Sequence, residues 1–281
     1  MKSKEITSKD IKSFEAFLYD CEKSENTIKK YLRDVRFFIK YTGSKCLSKA
    51  DVLEYKRAIC EEYLPQSVNS MLSSLNAFFE FLNRYDLKVK TLKIQRQIFA
   101  DKAKELAKCE YEKLLTAARS KKNERLYLLM QTLASTGLRV SEIKYVTAEA
   151  VRSGIATIKC KGKIRQVFLP KNLCKMLKAY IKTQNIKSGP VFVTSTGKPL
   201  DRSNIWKMMK SLCSSAGVDK KKVFPHNFRH LFARTYYSIQ KDIVRLADIL
   251  GHLSINTTRI YTTESGDVHI KQIQRLGLLR C

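Results

Sequence analysis

The sequence predicts a mainly α, two-domain protein with one small β-hairpin, and three observations lead there. Glycine and proline are scarce, 10 and 5 in 281 residues, which favours long helices and short connections over a many-stranded sandwich. Apolar residues recur at helical spacing through most of the chain, and the period changes to two in a single stretch. A basic segment without a sustained helical stripe, "DLKVKTLKIQRQIFADKAKELAK", divides two patterned regions and reads as a charged linker over residues 87–107. With 44% hydrophobic residues, each region has the material for a packed core.

Residues 1–86 read as four amphipathic helices. From Glu25 to Tyr41, the residues Ile28, Tyr31, Leu32, Val35, Phe38 and Ile39 share one helical face, while Lys29, Lys30, Arg33, Arg36 and Lys40 fill the remainder. From Ser67 to Asn83 the stripe is Val68, Met71, Leu72, Leu75, Phe78, Phe79 and Leu82, with Pro65 and Ser67 as the start signal. Less regular helices near 8–22 and 48–63 complete the bundle. After the linker, helices are expected at 110–120 and 124–135, then a break at Gly137 and a new helical start in "STGLRVSEIKYV". In residues 154–169, Ile155, Thr157 and Lys159, then Arg165, Val167 and Leu169, alternate about "KGK" as a hairpin does. Helices follow over 171–184, 201–215 (Asp201 as N-cap), 226–239, 242–250, 254–260 and 266–278. The second domain therefore spans 108–281.

Charge narrows the function. There are 54 Lys and Arg against 26 Asp and Glu, a formal net charge of +28, spread along the whole chain rather than gathered in a tail. Such an excess stores self-repulsion that a polyanion relieves. Nucleic acid fits best, because neutralised phosphates release condensed counterions. The eight cysteines contain no C-x-x-C pair, so neither a zinc ribbon nor a thioredoxin-like motif has support, and they read as free thiols. The N-terminus lacks the apolar core of a signal peptide and no run of about 18 apolar residues occurs, so a soluble, cytoplasmic protein is expected.

Taken singly, the polar residues of the second domain are ordinary. Arg139 and Glu142 could form a surface pair; His226 and Arg229 are three apart on one helix; His252 follows Gly251 as a cap would; Tyr261 could simply pack. Together they suggest more. No G-x-x-x-x-G-K-[ST] loop is present, and the acidic residues are scattered rather than clustered to hold Mg²⁺. Phosphate chemistry without a metal needs fixed cations for the phosphorus oxygens and a side-chain nucleophile. This chain has both, so no metal and no cofactor are expected.

At these residues the sequence resembles the tyrosine recombinases, the phage-integrase family that includes Xer recombinases and the integrases of mobile genetic elements. The resemblance is carried by "TGLRVSEI" (136–143), "KCKGKIRQVFLP" (159–170), "PHNFRHLFA" (225–233), "LGHLS" (250–254) and "TTRIYT" (257–262), in family order and spacing. It implies a C-shaped clamp on double-stranded DNA, built from a four-helix, SAM-like core-binding domain and a catalytic domain. It implies site-specific recombination, as integration, excision or resolution, through a 3′-phosphotyrosyl intermediate without metal or ATP. Tyr261 would be the nucleophile, and Arg139 and Arg229 would clamp the non-bridging oxygens. Lys161 would protonate the leaving 5′-oxygen, with Lys159 and Lys163 two positions to either side of it as alternatives. His226 would assist proton transfer and His252 would hold the phosphate. Glu142 and His230 would support the site. Four protomers would synapse two DNA sites, with C-terminal helices docking on neighbours, and Tyr261 acting either in its own site or in a neighbour's. The bundle opens the chain, so no arm-type DNA-binding domain is expected ahead of it. Two alternatives share this fold or chemistry: a non-catalytic architectural DNA-binding protein, and a DNA-relaxing enzyme like the type IB topoisomerases.

Overall fold

A computed structural model describes residues 6–43, 47–94, 102–160, 163–252, 254–261 and 274–276. The chain forms two compact units, Met1–Arg96 and Gln97–Cys281. No helix among the described residues is long and apolar enough to cross a membrane.

The first unit is a bundle of four helices, α1 (Ser8–Asp20), α2 (Glu25–Thr42), α3 (Lys49–Glu62) and α4 (Pro65–Phe81). Its helix starts follow from local chemistry. Thr7 and Ser48 each accept from the backbone three residues on, and Asp10 and Asp51 return the bond to the cap N–H. Helix α4 instead starts on Pro65, whose fixed φ suits the first helical position and whose missing N–H is not needed there. The apolar faces meet in a core of Phe14, Val35, Phe38, Val52, Leu72, Phe78 and Phe79, all fully buried. Each such side chain contributes about 1.5–3 kcal/mol, well above any surface ion pair of the bundle. The start of the segment expected to be a linker packs on this unit. Leu87 and Val89 are buried in its core, and Asn76 and Asn69 form paired bonds with the backbones of Val89 and Leu92 at 2.7–2.9 Å. Two side-chain amides that each both donate and accept thus hold residues 88–92 as an extended strap.

The second unit contains α5 (Lys108–Ser120), α6 (Glu124–Thr136), α7 (Ala148–Ser153), α8 (Lys171–Thr183), α9 (Arg202–Lys210), α10 (Cys213–Ala216), α11 (Pro225–Gln240), α12 (Ile243–Leu250) and α13 (Ile255–Thr258). Between α7 and α8 lie antiparallel strands β1 (Ile155–Cys160) and β2 (Lys163–Phe168), paired from Ile155↔Phe168 to Cys160↔Lys163. The register turns Ala156, Ile158 and Val167 into the core and leaves Lys159, Ile164 and Phe168 exposed. Helix α11 packs along α6, with Phe228 buried among Leu129, Leu133 and their neighbours in one continuous core.

Two details differ from the sequence expectation. The segment after Gly137 is a 3₁₀ helix, Val140–Tyr145, because the Glu142 carboxylate folds back onto the Arg139 N–H at 2.8 Å and tightens the first turn. The helix expected over 201–215 ends at Lys210, and the short α10 follows before Gly217 closes it in a left-handed conformation.

Candidate active site

Helix α11 supplies three polar side chains on one face, since residues 226, 229 and 230 stand at i, i+3 and i+4. Pro225 starts the helix. Asn227 then anchors that first turn, donating to the carbonyls of Lys104 at 2.8 Å and Lys222 at 2.7 Å. Arg234, two turns on, donates to the Leu106 carbonyl at 2.9 Å. The helix is therefore held at both ends of the stretch that carries the polar face.

Arg229 is the centre of the cluster and is 1% exposed. Its guanidinium donates to the Gly137 carbonyl at 2.5 Å and the Leu250 carbonyl at 2.7 Å. Gly137 caps α6 and Leu250 is the last residue of α12, so two helix C-termini turn their negative ends on one buried cation. Close approach is possible because Gly137 has φ +64° and no side chain; a Cβ there would stand 2.6 Å from the Phe232 ring and 2.9 Å from Leu250. Burial, followed by the nearby Arg139 charge, lowers the Arg229 pKa to about 10, against the opposing pull of Tyr261 and Glu142. The group stays cationic at neutral pH. Its Nε finds no acceptor among the described residues.

Glu142, 3% exposed, is the counter-charge beside it. One carboxylate accepts from the Arg139 N–H at 2.8 Å, from Arg139 Nη1 at 3.0 Å and from Arg165 Nη2 at 2.7 Å. Arg165 reaches from β2 and also donates to the Ile249 carbonyl at 2.8 Å. Its stem lies on Gly251, where a Cβ would be 2.6 Å from Arg165 Cδ. The hairpin, the 3₁₀ turn and the end of α12 are thus tied together through one guanidinium.

His252 follows that helix end. Its Nε2 is 2.8 Å from Arg229 Nη2 and its Nδ1 is 2.8 Å from the buried Thr258 hydroxyl. Burial, then the charges of Arg229, Arg139, Arg165 and His226, lowers its pKa to about 4. Tyr261, in a 3₁₀ turn after α13, is 4% exposed and packs on Ala233, Leu246 and Leu250. Its ring stands edge-on to His230, with centroids 4.9 Å apart, and stacks on His252 at 6.2 Å. His230 in turn meets His226 edge-on at 4.6 Å, and burial followed by the charges of its neighbours lowers the His230 pKa to about 4. The His226 pKa is also lowered, by desolvation and then by Arg229, Arg139 and Arg202.

The structure therefore gathers Arg139, Glu142, His226, Arg229, His230, His252 and Tyr261 in one place. Lys161 lies outside the described residues, at the join of β1 and β2, and so does most of the helix expected over 266–278. Lys159, one of its alternatives, sits on the outer hairpin face, and its carbonyl accepts from the Tyr145 hydroxyl. Two members of the cluster were not anticipated. Arg165 had a signal, a charge on the same side of the hairpin as Val167; Thr258 had none beyond its place in a threonine pair.

Comparison with known proteins places the chain in a family. Residues 104–266 match the phage integrase family, and residues 11–85 match the phage integrase N-terminal SAM-like domain. The tyrosine recombinase XerA of Pyrococcus furiosus is 30% identical, over 99% of this chain and 98% of its own. This chain belongs to the phage integrase family. Among its other family relatives, the tyrosine recombinase XerD of Vibrio cholerae is 28% identical over 85% of this chain and 86% of its own. The crystal structure of XerA recombinase aligns with a TM-score of 0.53 at 26% identity, over 98% of this chain and 100% of that one. A lambda integrase dimer bound to a COC′ core site shares the fold, with a TM-score of 0.75 at 16% identity over 92% and 96% of the two chains. The mainly helical architecture, with an N-terminal SAM-like unit and an integrase unit bearing one small sheet, is that of the family.

Proposed function

We propose that this chain is a tyrosine site-specific recombinase that cleaves and rejoins double-stranded DNA through a 3′-phosphotyrosyl intermediate. The observation that carries the reading is the Tyr261 ring, packed against His230 and His252 in the cluster around the buried Arg229 guanidinium. The names of the relatives, tyrosine recombinases XerA and XerD, support the same activity.

In the cleavage step the Tyr261 oxygen attacks the scissile phosphorus, and the bond from phosphorus to the 5′-oxygen breaks. The phenolic proton passes to His226, whose lowered pKa keeps it neutral and able to accept. Lys161, the family's hairpin lysine, gives a proton to the leaving 5′-oxygen. Arg139 and Arg229 take the non-bridging oxygens, where a planar guanidinium matches two phosphate oxygens as an ammonium does not. Arg229 is fixed by two carbonyls before substrate arrives, so little reorganisation accompanies charge build-up. The phosphotyrosyl bond retains the energy of the phosphodiester, so rejoining is the same step reversed, with a 5′-hydroxyl as nucleophile. Tyr261 acts in its own protomer's site. Exchange between two duplexes breaks four strands, and with one Tyr261 per chain the working unit is a homotetramer on two synapsed sites. DNA integration, excision or resolution in the cytoplasm is the setting.

The test uses duplexes selected from random-sequence DNA by binding, then nicked so that the cleaved strand is lost and the covalent adduct accumulates. The wild type forms the adduct. Tyr261→Phe loses it by about 10⁴-fold or more while keeping its band shift. Adducts that persist in the variant would remove Tyr261 as nucleophile. Band shifts without adducts in the wild type would favour an architectural DNA-binding protein, and plasmid relaxation without exchange a topoisomerase.

A further inference from the structure

The His252 ring lies between two partners of different kinds. Arg229 Nη2, at 2.8 Å from Nε2, can only donate. Nε2 therefore presents its lone pair, and the one proton of the neutral ring sits on Nδ1, where the Thr258 hydroxyl accepts it at 2.8 Å. Thr258 is fully buried on α13, the short helix that leads through Arg259 and Ile260 to Tyr261. Its partner on the other side of the ring belongs to α11. One imidazole thus spans the cation and the helix that delivers the phenol.

We infer that Thr258 is a positioning residue for cleavage: its hydroxyl holds the His252 ring in place and serves either of the ring's neutral tautomers. When a phosphodiester oxygen replaces Arg229 at Nε2, the ring must carry its proton there in order to donate. One proton then leaves Nδ1 and one joins Nε2, exchanged through water, so the ring stays neutral. The Thr258 hydroxyl rotates from accepting at Nδ1 to donating to it. A hydroxyl can make that change without moving its oxygen; a backbone N–H, a carbonyl or a carboxylate cannot. Valine at 258 keeps the shape and loses both bonds, leaving a buried ring nitrogen unmatched in one state or the other.

The inference rests on the recombinase reading, and its test separates the two. In the free protein, nitrogen-15 correlation spectra of the four histidines should show His252 as the Nδ1–H tautomer. An Nε2–H tautomer would overturn the proposal whatever the activity. On the nicked duplex, Thr258→Val should slow adduct formation by about 10–100-fold with unchanged DNA affinity, and Thr258→Ser should stay within about threefold of wild type. In a His252→Ala background, Thr258→Val should have no further effect, because its role runs through that ring. Thr258→Val at the wild-type rate, or equally harmful without His252, would overturn the assignment. A wild type with the Nδ1–H tautomer and no adduct would instead overturn the recombinase reading, and the role of Thr258 in cleavage with it.

Discussion

In residues 1–96 the interior is aromatic and aliphatic, and the buried carboxylate Asp34 is matched by Lys30 at 3.0 Å and Arg33 at 2.9 Å, whose own side chains are 27% and 73% exposed. In residues 97–281 a buried charge of each sign lies in one cluster. Glu142 and Arg229 are both within 3% of full burial, and they are held by helix ends, by Arg165 and by each other's neighbours. Both buried carboxylates have partners that reach solvent, Arg139 and Arg165 being 40% and 19% exposed, but only the second unit also buries a cation, Arg229. Only the second arrangement fixes a guanidinium where a phosphate could meet it, and it is also the costlier one to build.

That contrast can be broken most forcefully at Glu142. Glu142→Ala leaves Arg139 and Arg165 without their shared carboxylate and the Arg139 N–H without its acceptor, and it should lower stability by about 2–3 kcal/mol. Urea unfolding followed by Trp206 reads the second unit alone, since that is the chain's single tryptophan. A loss below about 1 kcal/mol would mean that the carboxylate is not holding the site together.

A smaller effect comes from pH. All four histidines follow residue 225. His230 and His252 are held near pKa 4 in the fold, while an unfolded histidine titrates near 6.5. Between those values the unfolded chain binds protons that the native site refuses, so stability falls as pH drops through the window. There is no such penalty above about pH 6.5. At pH 5, above the carboxylate range, the cost should be about 1 kcal/mol per ring after allowing for partial solvent access. The Trp206 transition should shift accordingly, and His230→Gln with His252→Gln should flatten the slope. A transition unchanged from pH 7 to 5 would contradict the neutral assignment.

The smallest effect belongs to the first unit. Asp34→Asn keeps a hydrogen-bonding partner for Ser74, which donates to Asp34 at 2.9 Å, and leaves two cations that water can solvate. The loss should be about 1 kcal/mol, read from far-UV ellipticity. A loss matching that of Glu142→Ala would erase the distinction drawn between the units.

The same contrast explains what the sequence disclosed. The four helices of the first unit carry their cores on one helical period, so α2, read as 25–41, is found at Glu25–Thr42. The strap at 88–92 escaped that reading because two asparagines hold it, and no periodicity encodes a contact 13 or 23 residues away. In the second unit the side chains on α11 and around Tyr261 were visible as motifs. Their geometry was not, because it depends on the carbonyls of Gly137, Ile249 and Leu250, and a carbonyl leaves no trace in residue identity. Thr258 was hidden for a related reason, since its neighbour Thr257 has the same chemistry and is exposed.

Cleavage and rejoining by this site turn on which atom becomes linked to DNA. Wild-type protein trapped on the nicked, binding-selected duplex, digested with protease and sequenced by mass spectrometry, identifies that atom directly. A single nucleotide-modified peptide is expected, with the modification on Tyr261. A modification on Tyr236 or Tyr237, which pack beside it, would contradict that assignment.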